Sequence, residues 1–156
     1  MPAATGAAAG PMPPEMHWVV VLLLTWITCG LGGLIWAFRQ ASFVKKIHPA
    51  SKAVLMLVVS LLGMVAQVVV YIGALSAGSG SGAQAAVGLI LLLNIVILAA
   101  SLAAIFGMRS SLVNYYNTVE PMGLELSGAI TFFFNILYFQ YHLSRIARWK
   151  KTGQLS

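Results

Sequence analysis

The side chains best able to hold a ligand in this sequence are two sets of basic residues. Arg39, Lys45 and Lys46 form the first, with Lys52 close by, and Arg145, Arg148, Lys150 and Lys151 form the second. Each set follows an apolar run. Basic residues in that position fix the orientation of a membrane segment and touch anionic headgroups, at about 1 kcal/mol per residue. The net charge of +6, from nine Lys/Arg against three Asp/Glu, would raise nucleic-acid binding in a soluble chain. Beside apolar segments it points to a lipid surface, and no nucleic-acid partner is expected.

The remaining polar groups offer no reaction. Glu120 and Glu125 stand five residues apart in a polar stretch that also holds Arg109, and they read as solvated loop charges. His17, His48 and His142 have no second His, Cys or carboxylate at metal-ligand spacing, so no metal is expected. Serine, histidine and acid do not recur in a catalytic pattern, and phosphate-loop, dinucleotide and zinc signatures are missing. We therefore expect neither a catalytic site nor a cofactor. Cys29 is the single cysteine, which excludes an intramolecular disulfide.

The elements that must position these residues are membrane-like. The chain is 60% hydrophobic and only 8% charged, whereas soluble domains carry about 25% charged residues. Four apolar segments lie at about 18–38, 53–77, 83–107 and 126–143, within one membrane domain over 17–151. Residues 1–16, rich in Pro, Ala and Gly, read as a disordered tail, and 152–156 as a second tail. Segments two and three are each long enough to cross about 30 Å of hydrocarbon. The uncharged "GSGSG" at 78–82 joins them, so they form a hairpin. Since positive loops stay in the cytoplasm, that turn faces out.

Segments one and four cannot both cross without exporting a basic set. The economical arrangement is that segment four enters the cytoplasmic leaflet, breaks, and returns as a basic amphipathic helix; segment one either follows the same pattern or simply spans, with the tail outside. Gly30, Gly32 and Gly33 mark the first break, and Phe134–Asn135 the second, where Asn135 could satisfy freed backbone groups. Residues 34–46 and 136–148 also share an aromatic–polar–basic pattern, with Trp36 set against Tyr138 and Ser42 against Ser144, which raises an internal duplication. Trp18, Trp36, Tyr115, Tyr116, Tyr138, Tyr141 and Trp149 suit an aromatic belt at headgroup level.

At depth there is no Asp, Glu, Lys or Arg, which argues against proton-coupled transport. Gln67 lies thirteen residues before Gly80 and Asn94 fourteen after, so the two amides sit at nearly equal depth. A hydrogen bond between them across the hairpin would contribute about 0.6 kcal/mol. A polar ring in an oligomeric channel is the alternative. Ala99, Ala103 and Gly107, with Ala100 and Ala104 one position over, make a small-residue face suited to close packing within the chain or between copies.

"TCGLGGLIWAFRQ", through Thr28, Gly30, Gly33 and Trp36, resembles the opening signature of a bacterial family of small membrane proteins catalogued as a domain of unknown function. "LSGAITFFFNILYFQYHLSRI" is similar to that family's closing segment. The likeness touches about a third of the chain. It implies a bacterial inner-membrane protein and supplies no activity. The expectation is therefore an all-α integral membrane fold, a spanning hairpin flanked by two broken segments. Its function would be non-enzymatic, through lipid or protein contacts, with a small channel or transporter subunit as the alternative.

Overall fold

In the computed structural model, which describes residues 10–77, 80–120 and 123–152, the chain is all-helical and no strand occurs among the described residues. The helices are α1 (Trp18–Ile27), α2 (Leu31–Ile47), α3 (Ala53–Ala77), α4 (Ser81–Thr118) and α5 (Gly128–Thr152). Residues 78–79 of the expected glycine-serine turn, and 153–156 of the expected second tail, lie outside the described residues.

α3 and α4 form the hairpin. Both are long and apolar enough to cross a membrane. The α3 seam runs through Leu57, Ser60, Gly63, Gln67, Val70 and Ala74, and that of α4 through Ala86, Ile90, Leu93, Ile97, Ala100 and Ala104. Steps of three and four keep each row on one helix face, the pattern by which helices interdigitate. Gly63 permits the close approach: a Cβ there would stand 2.7 Å from Ile97 Cγ1. Beside it the hydroxyls of Ser60 and Ser101 meet at 3.1 Å.

The 38 residues of α4 rise about 57 Å at 1.5 Å each, far more than one bilayer core. Its last turns were expected to be loop. They are helical because no Gly or Pro interrupts before Pro121, and because Met108, Leu112 and Tyr116 recur every fourth residue and are buried. Around them gathers the core: Ala37, Ala41 and Val44 of α2, Ala53 and Leu57 of α3, Ala104 of α4, and Phe139, Leu143 and Ile146 of α5. This core lies at the end of the hairpin away from position 80, beyond which, among the described residues, α3 and α4 pack only on one another.

α1 and α2 fold back on one another. The turn closes with Gly30 N–H donating to the Thr25 carbonyl at 2.7 Å and Cys29 N–H to that of Trp26 at 3.2 Å. This pair of bonds is the Schellman ending, which needs a left-handed residue. Cys29 supplies it with φ 50°, followed by Gly30 at φ 98°. Gly30 therefore marks the break as expected, but Gly32 and Gly33 do not. They are buried in the first turn of α2, where added Cβ atoms would stand 2.7 Å from Leu24 Cγ and 2.8 Å from Thr25 Cγ2. Their role is to let the two helices touch. The Thr28 hydroxyl completes the corner by accepting the Gly32 N–H at 2.7 Å.

α5 repeats the device with different chemistry. Asn135, at φ 36° and ψ −107°, divides it into a short arm and a long arm. The two arms turn back sharply enough for the Ser127 N–H to reach the Tyr138 hydroxyl at 3.0 Å. Asn is a residue type that accepts positive φ, which explains a break without glycine. The Asn135 carbonyl oxygen itself is buried without a hydrogen-bond partner, so the expected side-chain cap is not made.

Of the first tail, residues 1–9 lie outside the described residues. Residues 10–17 are not a free tail; they run as a strap over the long arm of α5. The Lys150 ammonium donates to the Pro11 carbonyl at 3.2 Å, and Gln140 Nε2 to that of Met16 at 2.7 Å. Polar side chains buried in the core offer the strap's carbonyls fixed donors, which composition alone does not reveal.

Candidate functional site

The packed end holds a buried polar network centred on Gln140, which is wholly inaccessible. Its carbonyl oxygen accepts from Trp36 Nε1 at 2.7 Å and Gln40 Nε2 at 3.3 Å. Its amide nitrogen donates to the Met16 carbonyl, to that of Pro14 at 3.3 Å, and to Ser144 Oγ at 3.2 Å. Gln40 Nε2 also reaches the Ile136 carbonyl at 3.1 Å, just past the α5 break. One side chain thereby joins the strap, α2 and the long arm of α5.

A second buried cluster lies at the end of α4. The Lys150 ammonium sits between both oxygens of Glu120, at 2.9 and 3.0 Å, with its side chain 1% exposed. Glu120 also accepts from the Gly10 N–H at 3.0 Å and the Tyr115 hydroxyl at 3.2 Å. Lys150 further lies 5.9 Å from the Tyr116 ring centre. Glu120 is therefore no solvated loop charge, whereas Glu125 is exposed.

The seven cations expected at a lipid surface divide accordingly. Arg39, Lys45, Lys46, Arg145 and Arg148 are exposed. Lys150 is taken into the interior by Glu120, and Lys151 pairs with Glu15 at 2.7 Å on the surface. Arg109 donates to the Leu126 carbonyl at 2.8 Å, and His48 meets Ser111 at 3.0 Å. Trp36 and Tyr116 are core residues and leave the expected aromatic belt, while Trp18 and Tyr141 are exposed beside Arg145 and Arg148. Among the described residues no three His, Cys, Asp or Glu side chains gather as a metal site would require.

Gln67 and Asn94 do not meet. Gln67 lies in the α3 seam, whereas on α4 the half-buried seam residue is Leu93. Asn94 is one residue further round, about 100° away, and its amide returns to its own helix at the Ile90 carbonyl, 2.9 Å off. The hydrogen bond was expected only if both amides face inward, and Asn94 does not. Since Asn94 is exposed and bonded locally, Asn94→Leu should change stability by less than about 0.5 kcal/mol. Thermal unfolding in detergent would check this, and a loss that vanishes in a Gln67→Leu background, as a coupled pair requires, would restore the cross-hairpin bond. The small residues separate similarly: Ala100 and Ala104 are buried within the chain, whereas Ala99 and Ala103 are exposed.

The residues that sequence reasoning missed are Gln40, Gln140 and the Glu120–Lys150 pair. A signal for the amides existed: Gln40 falls on the stripe of Trp36, Ala37 and Val44, and Gln140 on that of Ile136, Leu143 and Ala147. No family model matches this chain, and neither curated proteins nor solved structures include a significant match.

Proposed function

We propose that this is a non-enzymatic integral membrane protein that crosses the bilayer with α3 and α4 and enters one leaflet with two wedges. The carrying observation is charge segregation. All nine Lys and Arg, and all three Glu, lie at the packed end or in segments leading from it. Beyond that end α3 and α4 continue without a charge and turn apolar side chains outward, among them Val69 at 64% and Leu91 at 60% exposure. A face of that kind suits lipid, and a soluble monomer rarely carries one so extensive.

The folded-back helices fit the same frame. α1 has ten residues, about 15 Å of rise, which matches half of a 30 Å core. Its tip is apolar and outward-facing, with Trp26 84% exposed, and the tip of α5 presents Phe133 at 77%. Both arms of each wedge return to the cationic end, where residues 10 and 152 also lie. The bias of basic residues to the cytoplasm favours an inward-facing cationic end, and the resemblance to small bacterial proteins supports an inner membrane. Arg39, Lys45, Lys46, Arg145 and Arg148 then meet the anionic headgroups of that leaflet.

The test is cysteine labelling in a Cys29→Gly background, a change that suits the left-handed backbone there. Cysteines introduced singly at 12, 80 and 154 are treated with a membrane-impermeant maleimide on intact cells. Position 80 should label, and positions 12 and 154 only after permeabilisation. Labelling of 12 or 154 from outside would exclude the double wedge.

A further inference from the structure

A groove of about 680 Å³ opens between the strap and α2. Its α2 wall is Ile35, Arg39, Ser42 and Lys46, at steps of four, three and four along one helix face. Trp36 and Phe43, both buried, lie beneath, and Met12, Pro14 and Glu15 of the strap form the facing wall. About 16 Å of helix rise separates Ile35 from Lys46. The groove therefore grades from apolar, on the side of the wedge, to cationic, where α2 leaves it.

The cations are free to act. Arg39 lies over the Trp36 ring, 5.5 Å from its centre, so an aromatic face holds the guanidinium in place. Among the described residues no carboxylate pairs with Arg39 or Lys46, and Glu15, the acid on the wall, is engaged by Lys151. Two unpaired cations and a hydroxyl are complementary to one phosphate diester, which accepts charge-assisted hydrogen bonds. Ile35, 64% exposed, and Phe38 continue below them and would remain uncovered by a free phosphate.

We propose that this groove binds one anionic phospholipid, with its phosphate between Arg39 and Lys46 at Ser42 and an acyl chain along Ile35 and Phe38. The proposal rests on the membrane reading above and adds a stoichiometric site to the diffuse attraction of the basic surface. A zwitterionic lipid is disfavoured because its own cation would face Arg39 and Lys46.

Native mass spectrometry of the full chain in detergent tests it, with phosphatidylglycerol and phosphatidylcholine as probes. One phosphatidylglycerol should be retained in preference to phosphatidylcholine. Arg39→Gln and Lys46→Gln should each weaken retention about tenfold, the effect of about 1.4 kcal/mol. Lys52→Gln removes the same charge outside the groove and should leave retention unchanged. Ser42→Trp fills the groove without altering charge and should abolish it, with helix content by circular dichroism confirming the fold. Should that variant not fold, the comparison of Arg39→Gln with Lys52→Gln decides alone. Equal retention of both lipids, equal weakening by Lys52→Gln, or displacement by millimolar inorganic phosphate would overturn the site. Position 80 labelled as expected with no lipid preference sinks only the groove, while position 80 unlabelled sinks the membrane reading.

Discussion

Glu120→Ala should destabilise the protein by about 3–5 kcal/mol, the usual effect of leaving one charge of a buried pair uncompensated. Among the described residues Lys150 has no other acid to turn to: around its ammonium are the Pro11 carbonyl and the Tyr116 ring. With its side chain 1% exposed, it must drag the end of α5 outward to reach water. The Gly10 N–H and Tyr115 hydroxyl lose their acceptor in the same step. Replacing both partners, Glu120→Leu with Lys150→Met, should recover most of the loss, because two apolar groups need no compensation. Thermal unfolding in detergent, followed by tryptophan fluorescence, reads the difference. A single variant as stable as the parent would show that Lys150 reaches solvent freely.

Gln140→Leu should cost about 3 kcal/mol, since it strands several buried partners at about 1–3 kcal/mol for each that water cannot reach. Leucine keeps the volume but neither accepts from Trp36 Nε1 nor donates to the Met16 carbonyl. The strap then loses its buried attachment to Gln140, although Ser144 still reaches Met16 at 3.2 Å. Cleavage after Glu15 by a glutamate-specific protease should accelerate at least tenfold, whereas Ser144→Ala should accelerate it only slightly. Unchanged cleavage in Gln140→Leu would mean that the strap is held mainly through Lys150 and Glu120.

These two effects fall where sequence reading was weakest. A buried ion pair joins positions thirty apart, and the Gln140 network joins positions more than a hundred apart. Neither spacing belongs to any local period, so nothing along the chain couples them. The breaks were easier, because they arise from local backbone demands. Gly30 takes positive φ at small cost, and Asn135 is among the few other residue types that do so. Even there the glycines divided in a way that pattern did not reveal. Gly30 serves conformation, while Gly32 and Gly33 serve contact, and only the position of α1 distinguishes the two roles.

By itself the sequence determined the all-helical class, the two long apolar helices, the hairpin between them and the places where two helices break. These follow from composition, run length and residue-specific backbone preference, which act over a few residues. Tertiary structure alone decided which cations remain free. Lys150 and Arg148 are two residues apart and chemically alike, yet one is enclosed by Glu120 and the other is exposed. It also decided that Asn94 looks away from Gln67, because one helical step of about 100° turns a side chain out of the seam without changing its depth. Facing, unlike depth, depends on the partner helix, and that information is not carried by either segment alone.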